Sequence, residues 1–348
     1  MAPVLALLLA AAAAAVPEHA VVLLYHHVDA ATPASTSTPP AVFAAHLELL
    51  QAEGCVVLPL AEVVAGLRDP AVALPDRAVA LTFDDGYASV FGEAFPRLRA
   101  RGWPFTVFVS PAQIDAGRGP VCTWDQLRAM AAAGATVASH GLSHEHLQRR
   151  RPGEDAAAWR ARVAADLRTA ARRLAEEMGA APPLLVYPYG EWSPELADLV
   201  ADLGWTGFGQ QSGPAGAGSD PRCLPRFPAA GPYADPAGLA PKLRTLPLPV
   251  RAVAPVDPRV VPGTPRPALR LVLDPAPAAG TWRQLAAFDA GRPVAVTWPE
   301  GPEGPAVIPA GAPLVAGRAR TNVTAPSAWP GRWYWYSHLW IAGEEHTD

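Results

Sequence analysis

Asp84 and Asp85 stand side by side, and His140 and His144 stand four residues apart. Adjacent residues leaving an extended strand point to opposite sides, so one carboxylate can bind a metal while the other faces a water molecule. Gly86 then allows a tight turn. On its own the Asp-Asp-Gly run also suits a helix N-cap, where Asp is favoured. An H-x-x-x-H pair can converge on one metal from a helical turn or a compact loop, although two neighbouring histidines also serve as surface or core residues. His146 follows two residues later. A zincin reading fails, because HExxH starting at His144 needs histidine where the chain has Gln148. One carboxylate with two imidazoles gives a three-ligand zinc set with room for water, a catalytic rather than a structural pattern.

Short apolar runs alternate with longer helix-like stretches and must position these groups. Strands are expected at Val21 to His26, Ala78 to Phe83, Pro104 to Ser110, Ala135 to His140 and Leu184 to Pro188, with a sixth at Trp205 to Phe208. Helices are expected between them at Val42 to Ala52, Ser89 to Arg101, Trp124 to Ala133, Asp155 to Met178 and Pro194 to Leu203. Such alternation implies a parallel sheet, open or closed into a barrel. His26, Asp84, Asp85, His140, His144 and Tyr189 all fall at or just beyond strand ends, where parallel α/β folds bind their ligands. No GxGxxG opens any helix, which argues against dinucleotide binding.

The wider chain narrows the possibilities. A net charge of -4 over 348 residues gives no polyanion-binding surface, so nucleic acid is not an expected partner. Pro3 to Val16 is an apolar run too short to span a bilayer and suits a signal peptide over residues 1–20, which implies a periplasmic or secreted protein. No other run is long enough for a membrane span. Cys55, Cys122 and Cys223 are too few and too scattered to organise the fold. Prolines crowd residues 251–268, read as a stiff linker between a domain at 21–250 and a small β-sandwich-like domain at 269–348.

TFDDGY (Thr82 to Tyr87), SHGLSH (Ser139 to His144) and YPYG (Tyr187 to Gly190) resemble, in order and spacing, the motifs of the NodB-type polysaccharide deacetylases, carbohydrate esterase family 4. The resemblance covers roughly Val21 to Val250. YHHV (Tyr25 to Val28) resembles the branch acting on poly-β-1,6-N-acetylglucosamine. It implies an α/β fold, a distorted (β/α) barrel with fewer than eight strands, holding zinc or another divalent transition metal. It assigns Asp85, His140 and His144 to the metal, Asp84 as general base, and the Tyr189 backbone N–H to the oxyanion. The implied reaction removes N-acetyl groups from an N-acetylated polysaccharide and releases acetate.

The chain departs from the family pattern twice. Tyr187 occupies the region where the third motif often begins with an arginine that orients the base. The late Leu-x-His motif, the usual source of the acid, is missing, and no histidine lies between His146 and His338. In the poly-N-acetylglucosamine branch an N-terminal strand supplies that histidine. His26 fits, His27 competes, and His338 is a remote candidate. Alternation along a buried strand aims only one of His26 and His27 at the pocket. Arg226 can orient a carboxylate or form a surface ion pair. Gly207 to Gly213 reads as a connecting loop or a groove lining, and the aromatic segment Arg332 to Trp340 as core or as a sugar platform. A metal-dependent amidase or esterase on smaller acyl compounds, and a non-catalytic glycan-binding protein, are the alternative functions.

Overall fold

The computed structural model describes residue 16 and residues 18–117, 119–276, 281–301 and 304–343. The expected signal segment lies outside the described residues except for its last few. Those last few are already structured, because the first strand starts at His19 rather than Val21. A cleavage after Ala20 would cut into that strand, whereas one near Ala15 would leave it whole.

Nine strands form the first sheet: β1 (His19–Tyr25), β2 (Val56–Val57), β3 (Ala78–Phe83), β4 (Thr106–Val109), β5 (Thr136–Ser139), β6 (Leu184–Val186), β7 (Thr206–Phe208), β8 (Ala215–Gly216) and β9 (Phe227–Pro228). The spatial order is β7-β6-β5-β4-β3-β1-β8, and every pair from β7 to β1 is parallel. The sheet curls, and one short segment joins its two edges. Leu224 bonds to β7, donating to the Gly207 carbonyl at 2.8 Å and accepting from the Gly209 N–H at 3.0 Å. Three residues later Phe227 pairs with Leu23 of β1. Residues 224–228 therefore take the place of a last strand in a distorted barrel.

Side-chain alternation sorts the strands into an outer and an inner core. Val21, Leu23 and Tyr25 of β1 and Val79, Leu81 and Phe83 of β3 pack outward among helical residues such as Phe43 and Leu98. Ala20, Val22, Ala78, Ala80 and Ala138 pack inward, around Phe108 and Phe208. Small residues suit the inside of a tight curl. The same parity runs on to the strand ends: Ala78, Ala80, Thr82, Asp84 on β3, and Ala20, Val22, Leu24, His26 on β1. The inner core thus leads directly to the groups expected to do chemistry.

Most expected helices occur within two residues of their expected limits: Pro40–Ala52, Trp124–Ala132, Ala156–Met178 and Pro194–Asp202. Asp155 caps the third of these, accepting from the Ala158 N–H at 2.8 Å. The stretch expected as a helix over Ser89 to Arg101 is instead a π-turn (Val90–Ala94) followed by a short helix (Phe95–Arg99). Pro96 has no N–H to give the preceding turn, which favours the wider winding.

Two all-β sheets follow, built from β10 (Thr245–Pro247), β11 (Val250–Ala254), β12 (Leu269–Leu273), β13 (Ala286–Asp289), β14 (Arg292–Val294), β15 (Ala306–Ile308), β16 (Gly317–Pro326) and β17 (Trp333–Ala342). Their orders are β10-β17-β16-β13-β14 and β11-β12-β15, and they share a core that includes Leu246, Leu271, Ile308, Val323 and Trp340. The stretch expected to be a linker contains most of β11, and β10 lies within the range expected for the first domain. The prolines flank β11, an edge strand, instead of interrupting it, so its ladder survives. In β17, Trp333 is exposed and Tyr334 buried, while Trp335 packs edge-on against Phe227 of the barrel at 5.4 Å. That segment is mainly core and interface.

Candidate active site

The structure brings Asp85, His140 and His144 together at the carboxyl end of the curled sheet. One ligand atom from each lies within 4.8 Å of the others. Asp85 Oδ1 stands 3.3 Å from His140 Nε2 and 3.1 Å from His144 Nε2. Ligands at about 2.1 Å around a tetrahedral ion sit roughly 3.4 Å apart, so this spacing fits a small divalent ion. The tautomer of His140 supports the same fit. Its Nδ1 is 2.8 Å from the Val186 carbonyl, which can only accept, so Nδ1 carries the hydrogen. Nε2 then turns its lone pair toward the carboxylate oxygen, and two acceptors face each other across a gap that calls for a cation.

The electrostatics agree. Burial pushes the Asp85 carboxyl up, but the neighbouring His140 and His144 imidazoles outweigh it and hold the group well below the carboxylate range. Burial pushes the His140 imidazole down, yet Asp85 and Asp84 more than offset this and raise it. The cluster is built to share positive charge, whether a proton or a metal supplies it.

Backbone strain marks the same residues. Among the described residues, five non-glycine positions have positive φ, and Asp85 (67°), His144 (62°) and Tyr189 (60°) are three of them. Left-handed conformations are costly for such residues and concentrate at functional sites. Gly86 follows at φ 63°, where an added Cβ would stand 2.6 Å from Val109 Cγ1. Only glycine suits that turn, and the turn swings Asp85 off the inward parity of Asp84 toward the histidines.

Asp84 is fully buried and paired with Arg226, also fully buried, by two hydrogen bonds of 2.8 Å. Arg226 also donates to the Gly209 carbonyl at 2.9 Å and to Thr82 Oγ1 at 3.2 Å. Of the two readings of Arg226, orientation of a carboxylate is what the structure shows. Burial would raise the Asp84 pKa, but the Arg226 charge and hydrogen bonds hold it below the ordinary value. The guanidinium arrives on the segment that closes the barrel, 142 residues along the chain from its partner.

His26 follows the inward parity of β1 and feels the charges of Asp84, Asp85, Arg226 and His140. Its Nδ1 is buried without a hydrogen-bond partner. Burial lowers its pKa despite the two carboxylates. His27 turns the other way and stacks flat on Tyr87 at 3.5 Å. His338 lies buried in the C-terminal sheet against Trp340, outside this cluster. The Tyr189 ring meets the His144 ring at 4.5 Å. His146, which the motifs left without a role, stacks on the other side of Tyr189 at 3.9 Å and bonds Glu191 Oε2 at 2.7 Å.

Residues 71–208 match the family described as polysaccharide deacetylase. The chain is 29% identical over 168 residues to the poly-beta-1,6-N-acetyl-D-glucosamine N-deacetylase of Escherichia coli K12, covering 39% of this chain and 25% of that protein. It thus spans about a quarter of the length of that curated relative. Among solved structures it is similar to IcaB from Ammonifex degensii, with a TM-score of 0.55 and 26% identity over 65% of this chain and 98% of that one. It also shares the fold of the Streptococcus pyogenes deacetylase PplD, with a TM-score of 0.58 and 22% identity over 65% of this chain and 99% of that one.

Proposed function

From the premise that this chain carries a NodB-type polysaccharide deacetylase domain, we propose that it is a divalent-metal-dependent hydrolase that removes acetyl groups from an N-acetylglucosamine polymer. The observation that carries the reading is the pairing of a three-ligand Asp-His-His cluster with a separate buried carboxylate, Asp84, clamped by Arg226.

Asp85, His140 and His144 would hold the ion. A divalent ion there would polarise the acetyl carbonyl and make a nearby water acidic, and zinc suits the N,N,O donor set. Asp84 is ionised at neutral pH and fixed in direction, so it takes the water's proton as the oxygen attacks the carbonyl carbon. The Tyr189 N–H stabilises the developing oxyanion. His26 is neutral before the reaction, so it delivers a proton to the leaving amine only after gaining one. The sugar keeps a free amine, and acetate leaves.

A polymeric substrate agrees with a site outside the cell, and the apolar run at residues 3–16 supplies the export signal. No described helix is long and apolar enough to cross a membrane.

The test is acetate release from N-acetylglucosamine oligomers by the wild type and by Asp84→Asn, each with chelator and with zinc restored. Release that disappears with chelator, returns with zinc and falls at least about 100-fold in Asp84→Asn supports the reading. Release that survives chelation would overturn the metal role, and none from any N-acetylated glycan would overturn the substrate.

A further inference from the structure

Strand β16 lays one face against the mouth of the barrel. Val323 and Ala325 pack into the C-terminal core, and Arg318, Arg320 and Asn322, of the opposite parity, face the deacetylase domain. Arg318 donates to Gln210 Oε1 at 2.9 Å, and Asn322 Oδ1 meets Ser212 Oγ at 3.1 Å. Arg320 bonds the Tyr233 side chain. The Lys242 ammonium, from the single lysine of the chain, lies 5.2 Å from the Tyr233 ring centre.

The two ends of this cationic row reach the two loops that carry the chemistry. At one end, Gln210 packs on Gly190 so closely that an added Cβ would meet the Gln210 Cβ at 2.6 Å, and the neighbouring Tyr189 touches His144. At the other end, Tyr233 follows Gly231, whose N–H donates to Ser37, and Ser37 bridges to His27 beside His26.

The three cations stand apart from the arginines elsewhere that pair with carboxylates. None of the ion pairs among the described residues includes Arg318, Arg320 or Lys242. Glu191, whose charge Arg318 feels, is already engaged by His146, Gln148 and Arg149. Arg320 Nε is buried with no acceptor. Partly desolvated positive groups gathered without counter-charge are costly to one another unless an anion joins them. Arg318 is exposed while Arg320 and Lys242 are half-buried, so an anion from solvent meets the row at Arg318.

We propose that Arg318, Arg320 and Lys242 form an anion-binding wall beside the candidate active site, and that the natural substrate is an N-acetylglucosamine polymer whose chain also bears acid groups. This rests on the deacetylase reading and names its substrate class. Carboxylate and sulfate share the required chemistry, and a planar guanidinium matches either one with two hydrogen bonds.

Binding is measured by calorimetry on the full chain treated with chelator, so that no turnover intervenes. The probes are three oligosaccharides of equal length: N-acetylglucosamine alone, N-acetylglucosamine alternating with glucuronate, and a sulfated form of the first. An acidic oligomer should bind roughly tenfold tighter than the neutral one, the sum expected from a few exposed charge contacts. That preference should shrink at high salt and vanish in the Arg318→Gln/Arg320→Gln double variant. The Arg318→Lys/Arg320→Lys variant should keep most of it, which separates lost charge from lost structure. The better of the two acidic probes identifies the acid. Equal affinity for neutral and acidic oligomers, or a preference unchanged in the glutamine variant, overturns the wall. Failure of acetate release with this preference intact would count against the deacetylase reading and leave the wall standing.

Discussion

Arg226 and Asp84 form a fully buried ion pair at the candidate site. A buried ion pair adds little net stability, but removing one partner strands a charge in the core. Arg226→Met should therefore destabilise the protein by about 3–5 kcal/mol at neutral pH. The sign with pH follows from linkage. In the wild type the native Asp84 pKa is depressed, so its contribution is present above the unfolded value near 3.9 and is lost as pH falls through the native one. In the variant, burial is opposed only by His140 and His26 and raises the pKa relative to the wild type, so stability is lost as pH rises through it. The gap between the two melting temperatures should narrow as the buffer is made more acidic, and the acid limb of kcat/KM should move to higher pH in the variant. A gap independent of pH would mean that the carboxylate charge is not what Arg226 compensates.

The loop between His140 and His144 depends on the long helix Ala156–Met178. Asp166, on that helix, accepts the Leu142 N–H at 3.0 Å and holds the loop from behind. Groups that orient metal ligands typically change affinity by about 10–100-fold when removed. Asp166→Ala should weaken zinc retention within that range in competition with a chromophoric chelator, while the helix content in circular dichroism stays the same. Unchanged retention would show that the loop holds its shape without the helix. The reach of the sequence is plain at this scale. Asp84-Asp85-Gly86 and His140…His144 were legible because each group of ligands is local and strand alternation aims it. Arg226 was legible only as one of two readings, carboxylate orientation or a surface ion pair, because its meeting with Asp84 depends on residues 224–228 crossing from β7 to β1. Alternation did choose His26 over His27 once β1 was known to be buried on both faces. The Pro-rich stretch misled because proline composition reads as linker, whereas the strand lies between its prolines.

Barrel and C-terminal sheets are joined over a broad contact. Strand β10 comes from the end of the deacetylase portion and pairs with β17 of the C-terminal sheet, Trp335 packs on Phe227, and Arg259 reaches Glu195 at 3.0 Å. A chain so cross-connected should unfold as one unit. Scanning calorimetry should give a single transition with equal calorimetric and van't Hoff enthalpies, and two resolved transitions would refute that coupling.

The segment 224–228 completes the barrel and brings Arg226 to Asp84. The Asp-His-His cluster is built from residues that all precede this segment in the chain, whereas Asp84 needs the segment for its partner. Without the segment in place Asp84 would have no guanidinium, and burial would favour its protonated form. On the proposed mechanism, hydrolytic competence therefore requires barrel closure as well as the metal cluster, and the return of activity during refolding would report that closure.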